Sequence, residues 1–250
     1  MYWNASALNG YKIEATDGRL GTVSDLLFED TDWTIRWMIV DTGRWLSGRK
    51  VLLPFSVLGT PDPMKCEFPV MLTMDQVRNS PDSDTDQPVS RQMEASVYGH
   101  YNLNPYWASN AIAMPFVAPL FGSDLIARSR AVPVVDGADQ HLRSVAAVTG
   151  YHIHATDGEI GHVEDFLVDD GDWRIRYIKV DTKNWWPGER VLISPNLVRE
   201  VDWSLELVHL DVNQQKVKHG PPYDPSVTVD QAYEERFRSY YGLGWSGMSP

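Results

Sequence analysis

The chain has 250 residues, 43% of them apolar and 22% charged, with one cysteine (Cys66) and a net charge of −12 at neutral pH. That length accommodates two domains of roughly 100 residues, and the acidity works against general binding to phosphate backbones or anionic lipid. A single cysteine rules out an intrachain disulfide framework, no basic and apolar leader precedes Asn4, and the longest apolar run, Ala111 to Phe121, carries Pro115 and Pro119 and is too short to span a bilayer, so a soluble, cytoplasmic protein is expected.

Taken in chain order, the residues from Gly10 to Leu52 reappear from Gly150 to Leu192 without a gap, at an offset of 140 and with about half the positions identical. A long period present twice means duplicated domains rather than a solenoid. The first strand of each unit is predicted at Gly10–Thr16 and Gly150–Thr156. It ends at Asp17-Gly18 and Asp157-Gly158, a dipeptide suited to a tight hairpin turn. The second follows at Gly21–Phe28 and Gly161–Val168, and the third, rich in β-branched and aromatic residues, at Trp33–Asp41 and Trp173–Asp181. The fourth is Lys50–Pro54 and Arg190–Ser194, and the fifth Lys65–Thr73 and Ser204–Val212. Short strands joined by tight turns predict a small antiparallel barrel in each repeat, since closure removes the unpaired edges.

Each unit then passes through a polar stretch into a helix-like segment, after Ser90 in the first and Asp230 in the second, both good N-cap residues. Tyr233, Phe237 and Tyr241 share one face of the second helix, and Met93, Val97 and Tyr101 hold the same places in the first. The fold class is therefore mainly β. Repeat 1 with its helix is placed at residues 1–103, an apolar, proline-containing insert at 104–140, and repeat 2 with its helix at 141–250. The insert begins Asn104-Pro105-Tyr106-Trp107 and is too apolar for a solvated linker, so it is expected to lie, partly ordered, against one or both barrels.

The motif order G-Y-x-I-x-A-T-D-G-x-[LI]-G-x-V-x-D, then W-x-I-R-[WY]-x-x-V-D-T, then W-x-x-G-x-[KR]-V-L resembles the PRC-barrel family, in particular a bacterial branch with two tandem copies. The family takes its name from the cytoplasmic domain of the photosynthetic reaction-centre H subunit, and a related barrel forms the C-terminal half of a ribosome-maturation factor. The resemblance implies a small β-barrel used as an interaction module rather than as a catalyst. The membrane span of the H subunit and the N-terminal domain of the ribosome factor have no counterpart in this sequence, so neither specific role carries over.

The polar candidates divide into structural groups and one possible ligand set. Asp17 and Asp157 are read as turn formers, and the repeated Asp-Thr pairs at residues 41–42 and 181–182 as turn or capping groups. Arg36 and Arg176 are expected to pair with Asp25 or Asp30 and with Asp165 or Asp170. His152, His154, His162 and Glu164 form the one cluster with metal-ligand chemistry. A two-residue Asp157-Gly158 turn would send His162 and Glu164 to the face opposite His154, whereas a three-residue turn would gather His152, His162 and Glu164. The first repeat has Lys12, Glu14, Thr22 and Ser24 at these positions, so the fold does not require the cluster.

The aromatic residues carry the main expectation. Alternation along the third strand places Trp33 and Trp37, and likewise Trp173 and Tyr177, on a face that points outward and needs a cover. The following helix with its Tyr233 and Phe237, the insert, or a second protomer could supply it. Trp45 and the Trp185-Trp186 pair sit in loops as further contact candidates. No catalytic fingerprint is present. The expected function is a non-enzymatic scaffold or interaction module, without cofactor, that binds a protein partner or associates with itself, with no nucleic acid and no membrane span. The alternative is a small-ligand or metal-binding module built on the histidines.

Overall fold

The computed structural model describes residues 1–81, 89, 91–107, 142–182 and 189–244, apart from the side chains of residues 91 and 92. The insert beyond Trp107 and the Trp185-Trp186 pair lie outside the described residues.

The protein is mostly β, with a mixed sheet and few helices. The repeated hairpin forms as β2 (Lys12–Ala15) with β3 (Gly18–Glu29), and as β8 (His152–Ala155) with β9 (Gly158–Asp169). Ala15 pairs with Gly18 and Ala155 with Gly158, so the turn residues are Thr16-Asp17 and Thr156-Asp157, one position earlier than the Asp-Gly signal implies. The turn aspartates reach onward. Asp17 Oδ1 accepts the backbone N–H of Met74 at 2.7 Å, and Asp157 Oδ1 that of Gln214 at 2.7 Å. Each carboxylate thereby caps a short helix not foreseen in the polar stretch, α1 (Met74–Arg78) or α4 (Gln214–Lys218).

β4 (Thr34–Asp41) and β10 (Arg174–Asp181) run antiparallel to β3 and β9, and β5 (Lys50–Pro54) and β11 (Arg190–Ile193) antiparallel to β4 and β10. The closest backbone approach explains a glycine shared by both copies. At Gly21 and Gly161 φ is +154° and +141°, and a Cβ there would lie 2.0 Å from the carbonyl oxygen of Asp41 or Asp181.

The last strands depart from the expected antiparallel pattern. β6 (Glu67–Pro69) and β13 (Leu207–Leu210) lie parallel to β2 and β8, because the preceding segment brings the chain back in the same direction. Repeat 2 adds β12 (Val198–Asp202), paired with β13, where repeat 1 has only isolated bridges at Leu58–Val70 and Asp62–Glu67. Strand neighbours run β12-β13-β8-β9-β10-β4-β3-β2-β6, and no pairing among the described residues closes either repeat into a ring.

Two strands without a signal in the repeat alignment tie the halves together. β1 (Tyr2–Asn4), which enters repeat 1, pairs with β9 of repeat 2, and β7 (Leu142–Ser144), which enters repeat 2, pairs with β3 of repeat 1. Matching carboxylates hold the exchanged segments. Asp165 accepts Ser6 N–H at 3.1 Å and Ser6 Oγ at 2.5 Å, while Asp25 accepts Ala146 N–H at 3.1 Å and the Ser144 hydroxyl. Asp170 takes Trp3 Nε1 at 3.2 Å, and Asp30 takes Arg143 Nε at 2.9 Å.

These acids are therefore committed across the halves, and the expected partners of Arg36 and Arg176 are corrected. Arg36 pairs with Glu29 at 2.8 Å and Asp32 at 2.6 Å, and Arg176 with Asp169 at 3.2 Å and Asp172 at 2.7 Å. The register explains the choice: Glu29 lies opposite Thr34, and Arg36 is two residues along on the same face.

At the junction, Ile35 N–H donates to Trp173 O and Ile175 N–H to Trp33 O, both at 2.8 Å. Trp33 and Trp173 precede their strands rather than starting them, at φ 59° and 57°. That left-handed conformation costs an L-residue about 1–2 kcal/mol. It is offset locally by closing the turn, since Trp33 N–H reaches Glu29 O and Trp173 N–H reaches Asp169 O, both at 2.8 Å.

α2 (Arg91–His100) and α5 (Gln231–Tyr241) follow the two strand sets. Asp230 caps α5 through Tyr233 N–H at 2.7 Å, and Gly242 ends it at φ +69°. Helices this short are marginal alone. Burial of Val97, Tyr98 and Tyr101 on one side, and of Tyr233 and Phe237 on the other, holds them to the sheet.

Candidate functional site

Trp37 and Tyr177 do not face solvent. They are 0% and 4% exposed, and each lies under the helix of its own repeat. Trp37 Nε1 donates to Glu94 Oε2 at 2.7 Å, and its ring meets Tyr98 at 4.8 Å. Tyr177 meets Phe237 at 5.0 Å, Tyr233 at 6.4 Å and Tyr2 at 5.9 Å. As free contact points, Trp37, Tyr177, Tyr233 and Phe237 are therefore corrected: their apolar area is already removed from water within the chain. Burial raises the pKa of the Tyr177 and Tyr233 hydroxyls above that of free tyrosine.

Trp33 is buried and stacks on Phe28 at 5.2 Å. Trp173 is half-buried, with Phe55 at 4.5 Å and Phe68 at 5.9 Å, so it seals the junction from the repeat 1 side. Trp45 is half-buried, with the Arg78 guanidinium 5.6 Å from its ring centre.

The histidine cluster is not assembled. The two-residue turn is followed by a register shift, which does bring His152 opposite His162. The side chains then part. His152 Nδ1 lies 3.0 Å from Glu159, His162 Nε2 is 4.0 Å from Asp181, and Glu164 takes Arg190 at 2.6 Å and Lys179 at 3.5 Å. His154 faces His209, with ring centres 6.2 Å apart. Among the described residues no group of three His, Cys, Asp or Glu side chains is placed to hold a metal ion. Positive partners claimed Glu164 before it could serve as a ligand.

What the chain does leave open is a groove of about 700 Å³ on the repeat 2 side of the junction. Tyr177 and Phe237 line it beneath, Arg174 and Arg176 of β10 form one wall, and the turn Pro195–Leu197 with β12 contributes Asn196, Val198 and Arg199 to the other. Trp33 and Trp203 also border it, as does Leu243 just after α5. Its acids are engaged: Asp30 by Arg143, Asp169 by Arg176, and Glu234 by the Tyr2 hydroxyl. Burial first, and that bond second, raise the Tyr2 pKa well above the free value. Arg174 donates only to the Asp32 carbonyl, at 2.9 Å, and Arg199 is exposed; neither has a carboxylate partner among the described residues.

The equivalent place in repeat 1 is covered by the chain itself. Immediately after α2, the Tyr106 ring lies 4.1 Å from the Arg36 guanidinium, and its hydroxyl donates to Glu94 at 3.2 Å. Trp107 meets Tyr98 at 5.5 Å. Arg36, Glu94 and Tyr98 occupy the positions of the groove residues Arg176, Glu234 and Arg238. Repeat 2 has no such hook in its sequence, since Gly244 stands where repeat 1 has Asn104 and no Pro-Tyr-Trp follows. That asymmetry was readable from the alignment. Trp203 and Arg199 had no repeated counterpart to draw attention to them.

A sequence profile of the family described as "PRC-barrel domain" matches residues 4–62 and 148–210. A Deinococcus radiodurans protein described as "Uncharacterized protein" is 37% identical over 75 residues, which is 30% of this chain and 27% of the relative's own length. Among the described residues no helix is long and apolar enough to cross a membrane.

Proposed function

Because this chain is a PRC-barrel protein that carries the domain twice, we propose that it is a non-catalytic interaction module, which takes a protein partner in the open groove of its second repeat. In this reading, residues 1–103 and 141–250 are two small barrels, each with a covering helix, and 104–140 is the insert between them. The observation that carries it is the contrast between two equivalent places, one covered by Tyr106 and Trp107, the other an open groove of about 700 Å³. The volume alone would suit a small ligand equally well. A polypeptide is favoured because a polypeptide segment does the same work in repeat 1.

A non-enzymatic role is supported by the lining. It holds no histidine or cysteine, and its carboxylates at residues 30, 169 and 234 already accept hydrogen bonds. The aromatic rings that made self-association attractive are covered within the chain, which favours a separate partner over a second copy. A cytoplasmic setting in a bacterium fits the single cysteine and the family resemblance.

Asn196 is exposed on the rim of the groove, so Asn196→Trp fills the opening without disturbing the core. Cell proteins retained by the immobilised wild-type protein are expected to be lost by this variant, with far-UV circular dichroism unchanged. Equal retention by both proteins counts against the groove as the docking site.

A further inference from the structure

We infer that the groove accepts an acidic segment bearing adjacent tyrosine and tryptophan residues, supplied by the partner. This rests on the reading of the chain as an interaction module and adds the chemistry of what is recognised. Repeat 1 supplies the template: a tyrosine ring on a guanidinium, its hydroxyl on a buried glutamate, and a tryptophan against the next helix position. In repeat 2 the guanidinium is Arg176, the glutamate is Glu234 and the helix position is Arg238. A cationic helix residue in place of Tyr98 still presents a favourable face to an indole, through cation–π attraction.

Charge sets the second half of the preference. The groove's own acids are engaged, whereas Arg174 and Arg199 have no carboxylate partner among the described residues. On a chain of net charge −12, these arginines form a local positive rim. Arginine forks suit carboxylates geometrically. An acid on either side of the Tyr-Trp pair would meet that rim, and a lysine would be repelled by it.

The test uses the full chain and a blocked hexapeptide, Asp-Asn-Pro-Tyr-Trp-Asp, followed by titration calorimetry. Binding at one site per chain is expected. It should weaken about tenfold when the tyrosine of the peptide is replaced by alanine, and comparably when both aspartates become lysine. Arg176→Lys keeps the charge facing Asp169 and Asp172 but loses the planar face, and should weaken binding about fivefold with little change in melting temperature. Arg36→Lys should leave it unchanged. Binding indifferent to these changes, or undiminished in Asn196→Trp, overturns the proposal. So does binding that appears only after residues 245–250 are removed, because the chain's own terminus would then be the occupant. If Asn196→Trp abolishes retention of cell proteins while the hexapeptide fails to bind, the chemistry proposed is wrong and the module reading stands.

Discussion

The two repeats share a backbone and differ in what lies over it. Both hold an arginine on the third strand, an acid on the following helix and an aromatic ring between them: Arg36, Glu94 and Trp37 in one, Arg176, Glu234 and Tyr177 in the other. In repeat 1 the chain continues into Tyr106 and Trp107 and covers that set. In repeat 2 the glutamate is reached instead by Tyr2 from the opposite end of the chain, and a groove remains. Duplication thus preserved the scaffold, and a few residues beyond each helix decide whether the surface is closed or available.

The shared part of the comparison breaks most severely at the glycines. Gly21→Ala and Gly161→Ala each force a Cβ to within 2.0 Å of a strand carbonyl, so each should destabilise by more than about 4 kcal/mol in denaturant titration. Similar losses in both repeats are expected; a mild effect in one would mean that its third strand can shift.

The covered rings should separate the repeats next. Trp37→Phe removes the indole donor from Glu94, which is 0% exposed, and should cost about 2 kcal/mol. Tyr177→Phe should cost less than about 1 kcal/mol, because the Tyr177 hydroxyl has no hydrogen bond among the described residues. Melting temperatures of the two variants check this ordering.

The reciprocal entry strands give a smaller, symmetric effect. Asp25→Ala and Asp165→Ala each orphan a serine hydroxyl and a backbone N–H on the exchanged segment, and should destabilise by about 1–3 kcal/mol apiece. Hydrogen exchange should rise around Leu142–Ser144 in the first variant and around Tyr2–Asn4 in the second. Protection that rises or stays fixed would separate the acids from the exchange.

Alkaline pH should act last and mainly on repeat 2. Burial raises Tyr177, Tyr233 and Tyr241 above the ordinary value of 10.0. The native state therefore stays protonated where the unfolded chain ionises. Stability is fully present below pH 10 and declines as pH climbs through the raised values. At these three positions repeat 1 has Trp37, Met93 and Tyr101, of which only the last titrates. Phenolate absorbance and near-UV circular dichroism should change together, and a phenolate signal complete at the free-tyrosine value would contradict the burial argument.

Much of the fold was legible because local pattern and offset agree. The hairpins, the third and fourth strands and the two capped helices follow from alternation, turn chemistry and N-caps. The entry strands β1 and β7 were not legible, since three-residue strands carry no period and their pairing is set by the other half of the chain. The parallel placement of β6 and β13 depends on how the preceding loop returns, which no local pattern encodes. The outward reading of Trp37 and Tyr177 failed because alternation distinguishes two faces of a strand but not what covers them. The groove was legible only as an absence, the missing Pro-Tyr-Trp after the second helix.

The central claim is that one groove is closed by the chain's own Tyr106 and Trp107 and its twin is left open. Calorimetric stoichiometry of the Asp-Asn-Pro-Tyr-Trp-Asp peptide on wild type and on the Tyr106→Ala, Trp107→Ala double variant tests it most directly. One site on the wild type and a second, weaker site on the variant is the predicted result. An unchanged single site on a folded variant would contradict it.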